Sequence, residues 1–374
     1  MRDIPPDEGA EPVAKAGLCL SGGGYRAMVF HLGALMRLNE AGLLPGLDRI
    51  SSVSGGSITS ATLGLRWSEL GWRDGIAARL DELVVEPVRA LARHTIDISS
   101  VVEGLLPFTT VGERVAHAYR EHLFGDATLQ ALPADAEGPR FVICATNLES
   151  GELFRFSRPY AADWRVGQIA APRFPLADAV AASSAFPPVL SPFDLKPPPG
   201  AWTTLDGNDL TTPRYRDKLS LSDGGVYDNL GLETVWKRCK TVLVSDAGGH
   251  IADDPDPPHD WPRQTLRVLG VIDNQVRDLR KRQTISSYEM GLREGGYWGI
   301  RSHVADYGLA DPLDCPEERT EALARLPTRL AALDDATQER LINWGYAICD
   351  TAVRRWVVPA LPRPAGFPYP ARGV

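Results

Sequence analysis

Three glycine-rich turns, each placed directly after a short apolar run, constrain this chain more than any other feature. They are Gly22-Gly23-Gly24, Ser54-Gly55-Gly56 and Asp223-Gly224-Gly225. Short apolar runs that alternate with helical patterns predict the strands of a largely parallel sheet. Because parallel strands end at one edge, we expect the turns to gather at the C-terminal edge of the sheet. Open α/β folds place their sites there.

The segments between and after these turns predict an α/β fold with a mostly parallel central sheet, helices on both faces and a helical insertion. Apolar runs at 141–146 and 241–244 predict two further strands, with 151–156 as a partner of the first. Residues 262–300 have a charged helical pattern. We expect the following organisation: a flexible lead-in at 1–16, a catalytic domain at 17–357 with the insertion at 68–135 and a helical C-terminal part at 262–357, and a proline-rich tail at 358–374.

Composition disfavours several classes of function. The 374 residues include 40 basic and 48 acidic side chains, a net charge of −8, whereas a nucleic-acid-binding protein needs a basic face. The five scattered cysteines predict free thiols in a reducing compartment, and the sequence has no metal-ligand spacing, so no metal or other cofactor is expected. The polar N-terminus and the lack of a long apolar run predict a cytoplasmic protein without signal peptide or transmembrane segment. No pattern indicates the oligomeric state.

Ser54 follows a predicted strand and precedes a predicted helix, which is the setting of a nucleophilic serine. In the pattern G-x-S-x-G, the residues two before and two after the serine must be small because strand and helix crowd together. Those positions hold Ser52 and Gly56, and Gly55 keeps the turn permissive. Ser52 departs from the glycine of the pattern. By itself the motif fits a serine at a helix N-terminus equally well.

The Gly22–Gly24 turn, followed by Arg26, is typical of an anion-binding loop. Successive glycines let backbone amides point at one anion, and the helix that follows adds its dipole. Such a loop can hold a phosphate or a tetrahedral oxyanion. Gly22-x-Gly24-x-x-Ala27 also fits the dinucleotide-binding pattern, but the next strand ends in Ser54 and not in the acidic residue that this pattern needs.

Asp223 precedes two glycines and is placed to act as the base for a serine. Asp-Gly is also a very common turn sequence, so this turn alone does not indicate function. Asp246 is the main competitor because it also ends a predicted strand, whereas Asp206 belongs to a polar loop sequence. The combination of the three turns favours a catalytic site.

In order and separation, these motifs resemble those of the patatin-like phospholipases and their distant cousins, the cytosolic phospholipases A2. The resemblance covers roughly residues 17–249. It rests on Ser21-Gly22-Gly23-Gly24-Tyr25-Arg26, Ser54-Gly55-Gly56, Ala182-Ser183-Ser184-Ala185-Phe186-Pro187-Pro188 and Asp223-Gly224-Gly225. It implies a modified α/β-hydrolase-like sheet and a Ser–Asp dyad in place of a triad.

The resemblance also implies roles for single residues. Ser54 is the expected nucleophile, and Asp223 is the expected base. The amides of the Gly22–Gly24 loop, around Gly23 and Gly24, are the expected oxyanion hole, and Arg26 is the expected partner of a substrate phosphate. The implied substrate is a phospholipid or another acyl ester, hydrolysed through an acyl-enzyme without a cofactor.

Other interpretations stay open at this point. An esterase with a Ser-Asp-His triad would need a histidine after Asp223, and His250 and His303 have that order. His31 lies on the first predicted helix, where a packed histidine is the simpler interpretation. A non-catalytic lipid-binding scaffold of the same fold is disfavoured by the presence of both Ser54 and Asp223.

The net negative charge of the chain does not exclude contact with a membrane through a local patch of its surface. The densest basic run, residues 277–282, predicts a solvated helix face in preference to a patch that docks on anionic lipid. An apolar stretch from Val101 to Phe108 in the insertion is a candidate lid over an acyl pocket or a piece of core.

Overall fold

One mixed sheet of eleven strands organises the molecule, as seen in a computed structural model that describes residues 13–97 and 110–374. A separate hairpin adds two short strands. The strands are β1 Val13–Leu20, β2 Arg49–Val53, β3 Trp72–Arg73, β4 Ile76–Ala77, β5 Arg140–Asn147, β6 Glu152–Phe156, β7 Tyr160–Asp163, β8 Gly167–Ala170, β9 Phe193–Leu195, β10 Trp202–Thr203, β11 Leu219–Asp223, β12 Cys239–Asp246 and β13 Glu294–Gly299.

The centre of the sheet is parallel, in the order β5-β2-β1-β12-β13. Antiparallel strands β6, β7, β8 and β10 extend it beyond β5. Strands β9 and β11 form an antiparallel branch that pairs with the end of β5. The prediction of a mostly parallel central sheet is confirmed, as is the pairing of 151–156 with the strand before it.

Helices cover both faces of the sheet, and the alternation of side chains along β1 shows why. Leu18 and Leu20 face the larger core, whereas Cys19 faces a smaller core with Val235 and Val244. Because both sets are buried, β1 reads as a continuous apolar run, as expected for a central parallel strand.

The helices of the described residues range from one turn to eight turns. They are α1 Gly24–Glu40, α2 Gly55–Arg66, α3 Glu86–Ala92, α4 Val111–Tyr119, α5 Leu176–Ser183, α6 Pro213–Arg216, α7 Gly225–Asp228, α8 Glu233–Trp236, α9 Trp261–Glu289, α10 Glu317–Ala324 and α11 Asp335–Ala352. Within the described residues, no helix is both long enough and apolar enough to cross a bilayer.

The prediction of a helical pattern through 262–300 is wrong at its end. Residues 294–299 form β13, which pairs in parallel with β12 at the edge of the central sheet. Three of its six residues are glycine, so its sequence carries only a weak β signal. Gly295 has φ of 127°, and a Cβ there would lie 1.9 Å from the Val242 carbonyl oxygen. The strand therefore approaches β12 in a way that only glycine allows.

Helix α11 belongs to the main core, although it lies far from the motifs in sequence. It crosses α1 at two glycines. A Cβ on Gly33 would lie 1.9 Å from the Ile342 oxygen, and one on Gly345 would lie 2.0 Å from the Phe30 oxygen. The contact buries an apolar face of each helix, and α1 thereby holds the turn at its N-terminus in place.

The proline-rich segment 358–374 packs against α11 and is not a free tail. Asn343 Nδ2 donates hydrogen bonds to the carbonyl oxygens of Tyr369 and Gly373, and its Oδ1 accepts one from the Tyr369 amide. Val374 is buried.

The N-terminal segment and the insertion differ in part from expectation. Strand β1 begins at Val13, inside the segment 1–16 that was expected to be a lead-in. The described parts of 68–135 are largely helical, but they include the β3–β4 hairpin. The candidate lid at 101–108 lies outside the described residues.

Candidate active site

Strands β2 and β11 meet end to end along β5, and this meeting brings Ser54 and Asp223 together. Val53 at the end of β2 pairs with Cys144, and Asp223 at the end of β11 pairs with Ala145. The other edge of β5 is filled by β6, so β2 and β11 share one edge and point at each other. The expectation that all three turns end parallel strands is therefore wrong for Asp223, which arrives from the opposite direction.

Ser54 occupies a strained turn between β2 and α2. Its φ of 51° and ψ of −121° place a non-glycine residue in a backbone region that costs of order 1–3 kcal/mol. Such a conformation at the junction of a strand and a helix is typical of a nucleophile elbow. The serine at position 52 does not prevent this turn from forming.

Crowding around the elbow explains which small residues it needs. A Cβ on Gly56 would lie 2.4 Å from the Leu20 oxygen, so the start of α2 presses on the end of β1. Ser52 is fully buried and accepts a hydrogen bond of 3.1 Å from the Ser57 hydroxyl. A hydroxymethyl group thus fits where the general pattern has glycine, because it finds a partner under the helix.

The glycine-rich loop 22–24 lies directly against the elbow. A Cβ on Gly55 would lie 2.1 Å from the Gly24 oxygen, and one on Gly22 would lie 3.2 Å from Ser54 Cβ. Gly23 and Gly24 have φ of 146° and 61°. The two turns can approach this closely only because both consist of glycine.

The loop offers two backbone amides to a ligand, not three. The Gly22 amide donates to the Asn229 carbonyl oxygen at 3.0 Å. Among the described residues, the amides of Gly23 and Gly24 make no hydrogen bond, and neither does that of Gly55 at the start of α2. The expectation that Gly22 contributes an oxyanion donor therefore fails, whereas Gly23, Gly24 and Gly55 keep free donors near Ser54.

Asp223 is almost completely buried, with 2% of its surface exposed. Its Oδ1 accepts a hydrogen bond of 2.7 Å from the Gly225 amide. Oδ2 is buried without a partner of ordinary hydrogen-bond geometry among the described residues. Burial raises the pKa of Asp223 to about 7, while hydrogen bonds from the Gly225 amide and the Ser54 hydroxyl act to lower it.

The segment that ends α5 connects the two candidate residues. The Ser183 hydroxyl accepts from the Ser54 amide at 3.0 Å and donates to the Cys144 oxygen at 2.6 Å. The Ala185 oxygen accepts from the Asp223 amide at 2.8 Å. From the sequence, residues 182–188 were one of the motifs that carry the resemblance, but no role was predicted for them. The structure shows that this segment hydrogen-bonds the backbone amides of both Ser54 and Asp223.

Asn229 lies between the turns and was missed in the sequence. A Cβ on Gly22 or Gly225 would lie 2.5 or 2.6 Å from its Oδ1, and one on Gly248 would lie 2.8 Å from its Nδ2. The residue follows Asp223 by six positions, and an Asp-Gly-Gly-x-x-x-Asn spacing is the signal that could have found it.

Arg26 does not have the position expected of a phosphate partner. It is 3% exposed, and its guanidinium donates to the Ala247 oxygen, the Leu326 oxygen and the Thr328 hydroxyl. Burial, with a contribution from the nearby Arg301, lowers its pKa to about 10. Arg26 holds the loops behind the glycine turn together, because a buried guanidinium needs these acceptors.

The competing acidic residues are engaged elsewhere. Asp246 accepts from the Gly248 amide at 2.9 Å and from the Tyr297 hydroxyl at 2.6 Å. Asp206 lies in an exposed loop. Asp223 is thus the acid that faces Ser54.

The histidines give no support to a triad. His31 is buried between the Ser21 oxygen and the Ser245 hydroxyl, and burial lowers its pKa to about 4. His250 Nδ1 lies 2.7 Å from the Ile251 oxygen, and His303 pairs with Glu317. No hydrogen bond or ion pair found among the described residues joins a histidine to Ser54 or Asp223.

The chain is similar to one family of known proteins over most of the part that holds these turns. A family model described as patatin-like phospholipase matches residues 18–236, which is more than half of the chain. No curated protein matches the chain in sequence. The match covers all three glycine-rich turns and the segment 182–188.

One solved structure shows a similar fold at low sequence identity, and a second is matched more weakly. Human GIVD cytosolic phospholipase A2 in complex with methyl gamma-linolenyl fluorophosphonate is 17% identical, with a TM-score of 0.53 over 94% of this chain and 58% of that chain. VipD from Legionella pneumophila is 14% identical, with a TM-score of 0.38 over 91% of this chain and 66% of that chain. This chain therefore spans less than two thirds of the human protein.

Proposed function

This chain belongs to the patatin-like phospholipase family, and from that premise we propose that it hydrolyses lipid acyl esters with Ser54 as nucleophile and Asp223 as base. The observation that carries the proposal is the end-to-end meeting of β2 and β11 on β5, which faces a strained serine with a buried carboxylate. Phospholipids, lysophospholipids and neutral acyl esters are the candidate substrates.

The pKa of Asp223 suits a general base near neutral pH. A base works best when its pKa lies near the working pH, because it is then ionised in part and still takes a proton readily. Asp223, with a pKa of about 7, meets this condition through its burial. The serine needs no histidine if such a carboxylate accepts its proton directly.

In the acylation step, Asp223 Oδ2 takes the proton of the Ser54 hydroxyl while Oγ attacks the ester carbonyl carbon. The electron pair of the C=O bond moves onto oxygen, and in this proposal the free amides of Gly23, Gly24 and Gly55 stabilise that oxyanion. One such donor contributes about 3 kcal/mol in other enzymes. Collapse of the intermediate breaks the bond to the leaving alcohol oxygen, which receives the proton from Asp223.

In the deacylation step, water attacks the acyl-enzyme. Asp223 accepts a proton from the water, the carbonyl again becomes an oxyanion, and the bond to Ser54 Oγ breaks. The proton returns to Ser54, and the fatty acid leaves. The same two side chains and the same amides serve both steps, as in other covalent hydrolases.

Labelling with a fluorophosphonate followed by mass spectrometry tests the proposal. We expect wild type to form a covalent adduct on Ser54, and the variants Ser54→Ala and Asp223→Asn to lose it. The control variant Ser68→Ala removes an exposed serine and should label like wild type. A folded wild-type protein that does not label, and binds lipid without turnover, would favour a non-catalytic scaffold instead.

Variants of His250 and His303 separate the dyad from a triad. The dyad predicts that alanine at either position leaves the rate of ester hydrolysis within about twofold of wild type, since neither is placed to exchange a proton with the serine. A loss of several orders of magnitude at one of them would establish a histidine base.

A further inference from the structure

Helix α9 exposes an unusual set of apolar side chains. Eight large apolar residues in its first two thirds are 40–79% exposed. They are Trp261, Leu266, Val268, Leu269, Val271, Ile272, Val276 and Leu279. An amphipathic helix of a globular protein normally turns its apolar stripe towards the core. An exposed patch of this extent marks a surface that contacts a partner.

The polar residues of α9, not its apolar residues, face the protein. Arg277 donates to the Gly249 oxygen and pairs with Asp273, and Arg280 pairs with Glu233 at 3.1 Å. Thr284 is buried. The prediction that residues 277–282 form a solvated cationic face is therefore wrong for Arg277 and Arg280, because these two cations find acceptors on the loop and helix beneath them, whereas Arg282 is exposed as expected.

The apolar part of α9 lies on the side of the molecule that holds the dyad. Towards its C-terminal end, the Tyr288 hydroxyl donates to the Val242 oxygen, and Lys240 donates to the Gly291 oxygen just beyond it. That end therefore lies at the start of β12. Arg277, in the middle of the helix, contacts the 248–249 loop after the end of β12, beside Asn229. The helix thus runs from the edge with the active site to the opposite edge.

Other exposed apolar residues lie next to the dyad. Phe186, Val189 and Val226 are each more than half exposed. Phe186 follows Ala185, whose oxygen accepts from the Asp223 amide, and Val226 follows the glycine turn of Asp223. The rim of the site and the outer face of α9 therefore both expose apolar side chains.

The charge of this segment is opposite to that of the chain. Residues 261–293 contain seven basic and three acidic side chains, a net charge of +4, in a chain with a net charge of −8. A helix with an apolar face and flanking cations is typical of a segment that lies in the interface of an anionic membrane. Two copies of α9 facing each other would instead bring like charges together, which disfavours self-association.

We propose that α9 and the apolar rim of the site dock onto an anionic lipid surface, so that the entrance to the dyad faces the bilayer. This proposal rests on the proposed lipid hydrolase function for its purpose, but the docking is tested without turnover. The apolar side chains enter the headgroup region, and the exposed Arg263 and Arg282 at their margin meet the lipid phosphates. Binding then weakens as salt screens these charges.

Vesicle sedimentation of the Ser54→Ala protein tests docking without hydrolysis of the vesicles. We expect binding to phosphatidylcholine vesicles that contain about one third phosphatidylserine, and much weaker binding to pure phosphatidylcholine. The double variant Leu269→Glu, Ile272→Glu should bind at least about tenfold more weakly, because two charges replace apolar groups that docking removes from water. The control variant Val13→Glu, Ile76→Glu changes two apolar residues away from α9 that are 50% and 40% exposed, and it should bind normally.

Two outcomes would overturn the proposal. The first is equal vesicle binding by the α9 double variant and its control. The second is a dimer, seen by sedimentation velocity in wild type without vesicles, that the α9 variant alone disrupts.

A parallel assay with active Ser54 protein separates docking from catalysis. The α9 double variant should hydrolyse a water-soluble short-chain ester at about the wild-type rate and lose most of its activity on vesicles, as expected when only interfacial binding changes. Absence of any hydrolysis by wild type would contradict the proposed function, while the binding assay would still decide the docking proposal.

Discussion

Replacing Asp223 by asparagine should stabilise the protein at alkaline pH while it abolishes activity. The folded carboxyl has a pKa of about 7 against an ordinary value of 3.8, because burial disfavours its charged form. Three pKa units correspond to about 4 kcal/mol, which is an upper bound on what ionised Asp223 costs the fold.

The sign of the effect depends on pH. Between pH 4 and 7 the folded state holds a proton on Asp223 that the unfolded state has lost, so the contribution of this group to stability falls as pH rises through that window. Asparagine carries no charge at any pH. The gain of Asp223→Asn should therefore be near zero at pH 4 and reach its maximum above pH 7.

Thermal unfolding at a series of pH values measures this gain. For 374 residues, an unfolding entropy of about 2.1 cal/mol/K per residue converts 4 kcal/mol into a Tm increase of roughly 5 °C at pH 8. Asp206→Asn is the matched control, since Asp206 is exposed, and its Tm should follow wild type. A Tm difference that does not change with pH, or a loss of stability at pH 8, would refute the buried-carboxylate explanation.

Four further predictions follow from the site. In pH–rate profiles, kcat/KM should rise about tenfold per pH unit up to about pH 7 and then level off, since Asp223 must be ionised. Both Ser54→Ala and Ser54→Gly should lose activity by about 10⁴-fold or more. In denaturant titration, the free energy of unfolding of Ser54→Gly should exceed that of Ser54→Ala by about 1 kcal/mol, because the positive φ at position 54 suits glycine. Ser183→Ala should lower kcat about tenfold with little change in KM, because Ser183 positions the Ser54 amide and does not touch substrate; an effect on KM alone would contradict this role. Arg26→Met should cost about 3 kcal/mol of stability by leaving buried carbonyls without donors. It should alter KM for phospholipid and for neutral ester equally. A change in KM for phospholipid alone would instead support the role of Arg26 as a phosphate partner.

The sequence was most informative where local chemistry determines structure. The strands before Gly22 and Ser54 follow from apolar runs, and the elbow follows from the small residues around the serine. The pairing of Asp223 with Ser54 was found through the resemblance, not through strand direction. No local pattern reveals that β11 runs antiparallel, since direction depends on contacts far away in sequence.

Features that depend on tertiary contact were missed for the same reason. β13 forms on a glycine-rich segment because β12 offers it an edge, and tertiary context overrides its weak β propensity. Arg26 follows the glycine loop as expected, yet carbonyl groups about 220 and 300 residues away in the chain take up its donors. Only the folded chain shows that this cation is buried.

Strands β2 and β11, which lie end to end along β5, also set the distance between Ser54 and Asp223. Val53, the residue before Ser54, and Asp223 lie opposite two consecutive residues of one strand, Cys144 and Ala145, so the spacing of the proposed nucleophile and base depends on a single peptide unit. One residue inserted between those two would move Asp223 by about 3.4 Å and turn its partner side chains to the other face of the sheet. By contrast, the lengths of the loops between β2 and β5 and between β6 and β11 do not enter this spacing. Such loops are free to vary in length while the catalytic distance is conserved.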